Sequence, residues 1–359
     1  MLKKTIRRLG ALAMVLAMAV SVFAVNASAA TGVTAPTITK TITAAENVKT
    51  PVVTFEFTIA NGTATTLTDG TPVYAGVTNG VKFKSVNANG NGYISFTASD
   101  PLTKSAELEF DATKFTRPGI YAYTISEVVP EQGAGYDGME YSAQAKTLYV
   151  YVVNGANGPE VDGCQFLGTS EAEKGNGAFT NAYTTKNLKV IKKITGTQGV
   201  QSDTFKFKVT VNGATDEQYT MVIYNTDNDN NPAPVTLTSK QASAEFELSG
   251  DQYAMIYGLS PTDTFTVEEI NANTANNYGY QTTYDVAEGI TAGNAEANGV
   301  ATVVTNVTMG DKNRTATVRN DKSPSTPGGV IMTIAPYALM LVVAGAFAVV
   351  FLSRRNRAE

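Results

Sequence analysis

Histidine and tryptophan are absent from the 359 residues of the chain, and cysteine occurs once, at Cys164. Without histidine, Ser-His-Asp and Cys-His catalysis and all histidine metal sites are excluded. A single cysteine cannot form an internal disulfide, so a covalent brace within the chain must use other side chains. The net charge of −5 also argues against a nucleic-acid partner.

Long amphipathic helical patterns are also missing between the two ends of the chain. Short segments rich in Val, Ile, Thr, Tyr and Phe occur instead, separated by turn signals such as Asn61-Gly62 and Asn212-Gly213. This pattern predicts an all-β protein with two tandem β-sandwich domains, over residues 30–184 and 185–322. The junction between them is very short, which favours a stiff, end-to-end pair of domains.

Both ends of the chain carry export signals. Basic residues precede an apolar run from Leu9 to Val25, and Ala27-Ser28-Ala29 offers a small-residue cleavage site, so residues 1–29 are predicted to be a secretory signal peptide. Residues 330–352 form an apolar stretch followed by arginines, long enough to span a bilayer. A permanent membrane helix is one interpretation. The segment Ser325–Gly329 directly before the stretch favours a sortase sorting signal over residues 323–359.

The most informative feature is a repeated triple of polar residues. A Lys, a Glu and an Asn recur in the same order, with similar separations and in similar local sequence. The first triple is Lys40, Glu127 and Asn181, and the second is Lys192, Glu269 and Asn320. Alternate side chains of a strand share one face, and this alternation places each of the six residues with apolar neighbours. All six are therefore predicted to point into a core.

Buried residues of these types are costly unless they are paired or neutralised. Burial favours a neutral lysine amine, which is a nucleophile, and a glutamate beside it can polarise an asparagine carbonyl and move protons. The product would be an internal Lys-to-Asn isopeptide bond, formed once per molecule with loss of ammonia. The alternative for any single residue is a strand end with its polar head in solvent. The recurrence of all three types favours the isopeptide interpretation.

The leader, the two triples and the sorting signal together resemble the backbone pilins of Gram-positive bacteria, of the two-domain type with streptococcal-pilin isopeptide linkage domains. The resemblance implies immunoglobulin-like (CnaB-type) sandwiches in which the bond joins the first and last strands. It assigns Glu127 and Glu269 as the catalytic residues, and it assigns the cross-links to two pairs. These pairs are Lys40 with Asn181 and Lys192 with Asn320. The resemblance implies no cofactor, no metal and no enzymatic turnover.

The resemblance also implies an assembly step at the cell surface. A pilin-specific sortase would cleave the sorting motif, which spans Thr326, Pro327, Gly328 and Gly329, and transfer the new C-terminus to a lysine of another copy. Cleavage is expected between Gly328 and Gly329; cleavage after Thr326 is the other register. Lys174 is the expected acceptor. The further expected partners are peptidoglycan and minor pilins, with the pilus anchored to the cell wall.

Three function classes remain open from the sequence. A shaft pilin needs an acceptor lysine, whereas a wall-anchored monomeric adhesin or a minor or basal pilin does not. A secreted enzyme would need a convergent site beyond the triples, such as a carboxylate pair. The loop around Asp227 has oxygen ligands at alternate positions but Pro232 where a calcium loop needs Gly, so it is interpreted as a solvated loop.

Overall fold

The structure is a computed structural model that describes residues 33, 36–168, 173–225, 232–274, 277–290, 303–323, 340–344 and 346–347. Strands make up almost all of the regular structure in these residues, which confirms the predicted all-β fold. The signal peptide over 1–29, the sorting motif Thr326–Gly329 and the Asp227 loop lie outside the described residues.

Residues 37–183 form two facing sheets with one short 3-10 helix, Ala112–Lys114. Their strands are β1 (Thr37–Thr43), β2 (Thr54–Asn61), β3 (Thr65–Thr66), β4 (Pro72–Ala75), β5 (Val81–Phe83), β6 (Gly92–Ser95), β7 (Thr103–Phe110), β8 (Gly119–Glu127), β9 (Met139–Glu140), β10 (Ala145–Gly155), β11 (Gly158–Phe166) and β12 (Ala178–Tyr183). One sheet has the order β5-β7-β1-β12-β9, and the other has β11-β10-β8-β2-β6, with β4 beside β8 and β3 beside β4.

Residues 186–321 form a second pair of sheets. Their strands are β13 (Lys186–Thr195), β14 (Phe205–Asn212), β15 (Gln218–Tyr224), β16 (Val235–Thr238), β17 (Phe246–Leu248), β18 (Tyr253–Leu259), β19 (Thr264–Glu269), β20 (Gln281–Glu288), β21 (Val304–Thr308) and β22 (Arg314–Asp321). The sheet orders are β16-β15-β18-β13-β22-β20 and β17-β14-β19-β21. Each pair of sheets encloses its own apolar core.

The first and last strands of each half are parallel neighbours. β1 pairs with β12 so that Ile42 lies opposite Asn181, and β13 pairs with β22 so that Ile194 lies opposite Asn320. In both halves the lysine is two residues before that position, so the lysine and asparagine side chains share a face along a diagonal. Strands β8 and β19, which carry the glutamates, belong to the facing sheets.

The two halves meet through polar contacts around a buried carboxylate, Glu217, which is 2% exposed. From the first half, the Tyr136 and Tyr183 hydroxyls donate to Glu217 Oε1 at 2.8 and 3.1 Å. Asp137 Oδ2 accepts from the N–H and hydroxyl of Thr262 at 2.9 and 2.8 Å. The junction is therefore held by hydrogen bonds as well as by the short connection between β12 and β13.

Near the C-terminus, residues 340–344 and 346–347 are helical and exposed. No helix within the described residues combines the length and the apolar character needed to cross a membrane. Most of the predicted sorting helix over 330–352 lies outside the described residues.

Candidate functional site

Strand β1 shows how the sequence places a lysine in the core. Its sequence Thr-Ile-Thr-Lys-Thr-Ile-Thr alternates strictly, and Ile38, Lys40 and Ile42 are all buried. On the other face, the hydroxyls of Thr39 and Thr41 contact hydroxyls of the neighbouring strand β7. The period of two therefore forces Lys40 between two isoleucines under the facing sheet.

The first triple, Lys40, Glu127 and Asn181, forms one buried centre. Their exposed fractions are 0%, 5% and 1%. Lys40 Nζ lies 2.6 Å from Glu127 Oε2, and Asn181 Nδ2 donates to Glu127 Oε1, also at 2.6 Å. The Phe55 ring covers the amine, with its centroid 4.4 Å from Nζ. One carboxyl group thus bridges the amine and the carboxamide in an apolar surrounding.

The second triple, Lys192, Glu269 and Asn320, forms a second centre with the same arrangement. Lys192 Nζ lies 2.5 Å from Glu269 Oε2, and Asn320 Nδ2 donates to Glu269 Oε1 at 2.8 Å. Lys192 and Asn320 are 0% exposed and Glu269 2%. The Phe205 ring centroid is 4.1 Å from Nζ. In this centre Thr282 Oγ1 adds a contact of 3.3 Å to Glu269 Oε1.

Burial changes the acid–base behaviour of both lysines. Loss of hydration lowers the pKa of Lys40 to about 8, although its glutamate partner acts in the opposite direction. The pKa of Lys192 is lowered to about 8 for the same reason. Each lysine therefore releases its proton far more readily than an exposed lysine and can supply a neutral, nucleophilic amine.

The glutamates contact the asparagine side chains differently from the sequence-based mechanism, in which Glu polarises the carbonyl. In both centres the glutamate accepts from the amide nitrogen. The carbonyl oxygen of Asn181 accepts instead from the backbone N–H of Ser142 at 2.9 Å. The arrangement suits a glutamate that moves a proton from the attacking amine to the departing nitrogen, with carbonyl polarisation coming from elsewhere.

Comparison with known proteins shows what the chain is similar to. Residues 36–184 match the family model of the Spy0128-like isopeptide containing domain, FctA. Over 291 residues the chain is 28% identical to a pilin of Streptococcus pyogenes serotype M1. The matched region is 77% of this chain and 81% of that protein. Residues 36–184 therefore carry a domain of this family, and the chain as a whole is similar to a streptococcal pilin. Its residues 186–308 match a further family, the domain of unknown function DUF7601.

Solved structures of pilins share the fold. The crystal structure of the major pilin from Streptococcus pyogenes matches with a TM-score of 0.59 and 23% identity, over 82% of this chain and 100% of that one. The major pilin T3.2 from serotype GAS13637 of the same species matches with a TM-score of 0.56 and 22% identity, over 80% and 97%. These likenesses show that the two pairs of sheets have the architecture of pilin β-sandwich domains.

Lys174, the expected acceptor, belongs to neither triple, and its exposure contrasts with the burial of the six triple residues. It is exposed and forms a bridge with Leu167 just after the end of β11. The N–H of Gly175 donates to the Phe166 carbonyl at 2.8 Å, which fixes the backbone beside it. Gly168, Gly175 and residues of β8 and β10 line an adjacent open groove of about 810 Å³.

Sequence reasoning missed two kinds of contributor to the centres. Phe55 and Phe205 cover the lysine amines, and alternation in their own strands could have placed them in the core but not over a particular amine. The Ser142 contact is made by a backbone N–H. No residue type encodes such a donor, so only the folded chain reveals it.

Proposed function

We propose that the chain is a structural subunit of a covalently polymerised surface pilus, with one autocatalytic Lys-to-Asn isopeptide bond in each half. The observation that carries the proposal is the pair of buried centres in which one glutamate contacts both a lysine amine and an asparagine amide. Buried ion pairs contribute little net stability. Stability alone therefore does not explain two such centres at equivalent positions of the two sandwiches.

In the proposed reaction, Lys40 Nζ attacks Cγ of Asn181 and forms the new carbon–nitrogen bond. Glu127 takes a proton from Nζ through Oε2 and a proton passes from the same carboxyl group to Nδ2, which lies 2.6 Å from Oε1. The bond from Cγ to Nδ2 then breaks and ammonia leaves. An amine and a primary amide become a secondary amide and ammonia, and Glu127 is regenerated. Lys192, Glu269 and Asn320 react in the same way.

The position of the bonds suits a protein under tension. Each bond would join the first strand of a half to its last strand, and these strands are parallel neighbours. Force that enters along one terminal strand would pass through the covalent bond to the other. The hydrogen bonds of the sheets would then carry little of the load.

Assembly would use the exposed lysine and the C-terminal segment. A sortase would cut between Gly328 and Gly329 and pass the acyl group to Lys174 of another copy, with peptidoglycan as the final acceptor. Exposure of Lys174 beside an open groove supports this role, since an acceptor amine must enter the sortase active site. The segment before the motif is rich in Ser and Pro and can extend from β22.

The intact mass of the purified mature chain tests the proposal. We expect it to be lower than the sequence mass by two molecules of ammonia. Glu269→Gln keeps the shape of the side chain but removes the proton acceptor, so the deficit should fall to one ammonia. Glu268→Gln, at an exposed neighbouring position, is the matched control and should keep both losses. A wild-type chain with its full sequence mass would refute the isopeptide proposal.

A further inference from the structure

The two reaction centres differ at the asparagine carbonyl, and we infer that this difference makes the first bond form faster than the second. The backbone N–H of Ser142 acts as an oxyanion donor in the first centre, and the described residues of the second centre offer no equivalent donor. This inference rests on the proposed isopeptide chemistry and adds a catalytic group to it.

The Ser142 contact fixes the carboxamide of Asn181 in one orientation. Its N–H donates to Oδ1 at 2.9 Å while Nδ2 donates to Glu127 at 2.6 Å. A flipped amide would turn its NH₂ group toward the Ser142 N–H, and two donors would then face each other. The carbonyl oxygen therefore points at a donor, and the nitrogen that leaves points at the glutamate.

The local fold explains why this N–H is available. β9 is only two residues long, and its pairing with β12 ends where Glu140 lies opposite Ala182. The chain then leaves the edge of the sheet and enters β10 at Ala145. Ser142 lies in this connection, so its N–H is directed to the Asn181 side chain.

In the second half the corresponding edge strand is continuous. β20 pairs with β22 over eight positions, and Thr282 lies directly opposite Asn320. The N–H of Thr282 donates to Asn273 Oδ1 at 2.7 Å. Asn320 Oδ1 is buried and has no hydrogen-bond partner among the described residues. The backbone N–H opposite Asn320 is thus committed to another acceptor and does not reach the Asn320 carbonyl oxygen.

This contrast has a chemical consequence. As the lysine attacks, negative charge develops on the asparagine carbonyl oxygen. A donor already placed at hydrogen-bond distance in a dry site stabilises this charge without reorganisation, and loss of one such donor typically slows a reaction by about 10² to 10³. The first centre has this stabilisation through Ser142, whereas Asn320 Oδ1 in the second centre has no such donor among the described residues.

Removal of a single N–H tests the inference. The full chain is made by cell-free translation, aliquots are quenched in acid over time, and peptide mapping assigns each ammonia loss to its own cross-link. Ser142→Ala keeps the N–H, whereas L-lactic acid at position 142, introduced by stop-codon suppression, has the same side chain with oxygen in place of N–H. We expect lactic acid to slow the first bond by about 100-fold relative to Ser142→Ala, with the second bond unchanged.

The outcomes separate this inference from the proposed function. Equal rates for the first bond in the alanine and lactic acid chains, with the second bond forming normally, would overturn the role of Ser142. If the lactic acid chain does not fold, the wild-type chain decides: a first bond slower than or equal to the second overturns the inference, and a faster first bond supports it. Absence of both bonds from the wild type would instead overturn the proposed function.

Discussion

Lys40 and Lys192 lie under phenylalanine rings with their amines cut off from water, and this environment sets their reactivity. With the pKa lowered to about 8 in each case, the neutral amine is a minor species at acidic pH and the major species above about 8. The neutral fraction rises about tenfold for each pH unit below the pKa. Attack requires the neutral form.

We therefore predict that both bonds form faster as the pH rises toward about 8, with a slope close to tenfold per unit, and level off above it. Quenched aliquots of newly translated chain at a series of pH values give the rate of ammonia loss at each cross-link. A rate that stays constant from acidic to alkaline pH would show that release of the lysine proton does not limit the reaction.

At the same scale, the sequence predicts side-chain facing well and backbone donors not at all. Strict alternation in β1 predicts an inward Lys40, and the structure has it fully buried. The same rule directs Lys189 to the other face, yet Lys189 is 7% exposed because it lies over the Tyr253 ring at 4.2 Å. Its burial depends on a neighbouring strand, and the Ser142 donor depends on where β9 ends, so neither follows from local sequence.

The terminal strands are the elements that the bonds would tie together. The bond between Lys192 and Asn320 would close a loop of about 130 residues, and a cross-link of that length stabilises by roughly 4 to 5 kcal/mol, mainly through the unfolded chain. Glu269→Gln should prevent this bond while it leaves the strand pairing in place.

We predict that Glu269→Gln lowers the melting temperature of the second half and increases its cleavage by trypsin, compared with Glu268→Gln. Thermal unfolding followed by circular dichroism, with the mass of each sample measured first, provides the check. If Glu269→Gln lacks its bond but melts at the temperature of the control, the bond contributes no stability and its role would be confined to load.

Across the whole molecule, the junction between the halves brings two carboxyl groups together, those of Glu217 and Asp263. The Tyr219 hydroxyl contacts both Glu217 Oε2 and Asp263 Oδ2, at 3.0 and 3.1 Å. A phenol has one hydrogen to donate, so the two carboxyl groups are best satisfied when one of them is protonated. Burial, with the Glu217 charge, raises the pKa of Asp263 to about 7. No lysine or arginine of the described residues forms an ion pair with either group.

The remaining groups at this junction are acidic or neutral. They are Asp137, which also raises the pKa of Asp263, the hydroxyls of Tyr136 and Tyr183, and Ser260, whose N–H donates to Asp263 at 2.9 Å. The unfolded Asp263 ionises near pH 4, whereas the folded one keeps its proton to about 7. Stability should therefore fall as pH rises through this window and become constant above it.

We predict that Asp263→Asn, which mimics the protonated acid, removes most of this fall. Melting temperatures of the variant and of Asp216→Asn, an exposed acid beside Glu217, compared at acidic and neutral pH, give the measurement. The control should lose stability with rising pH as the wild type does, and the Asp263 variant should lose less. Identical pH dependence in the two variants would show that Asp263 is ionised in the folded protein.

In the proposed assembly, polymerisation would join the braced subunits through Lys174, and this step gives the last prediction. Lys174→Arg keeps the positive charge, but the guanidinium stays protonated and cannot attack an acyl group. We expect this substitution, in the native organism, to abolish the high-mass ladder of cross-linked subunits while both internal bonds still form. Lys146→Arg, at a lysine that lines the neighbouring groove, should keep the ladder.

A ladder that survives in Lys174→Arg would place the acceptor on another lysine, which mass spectrometry of cross-linked peptides would identify. A wild-type chain without any ladder would indicate a monomeric wall-anchored adhesin, because only a shaft subunit needs both an acyl donor at Gly328 and an acceptor amine.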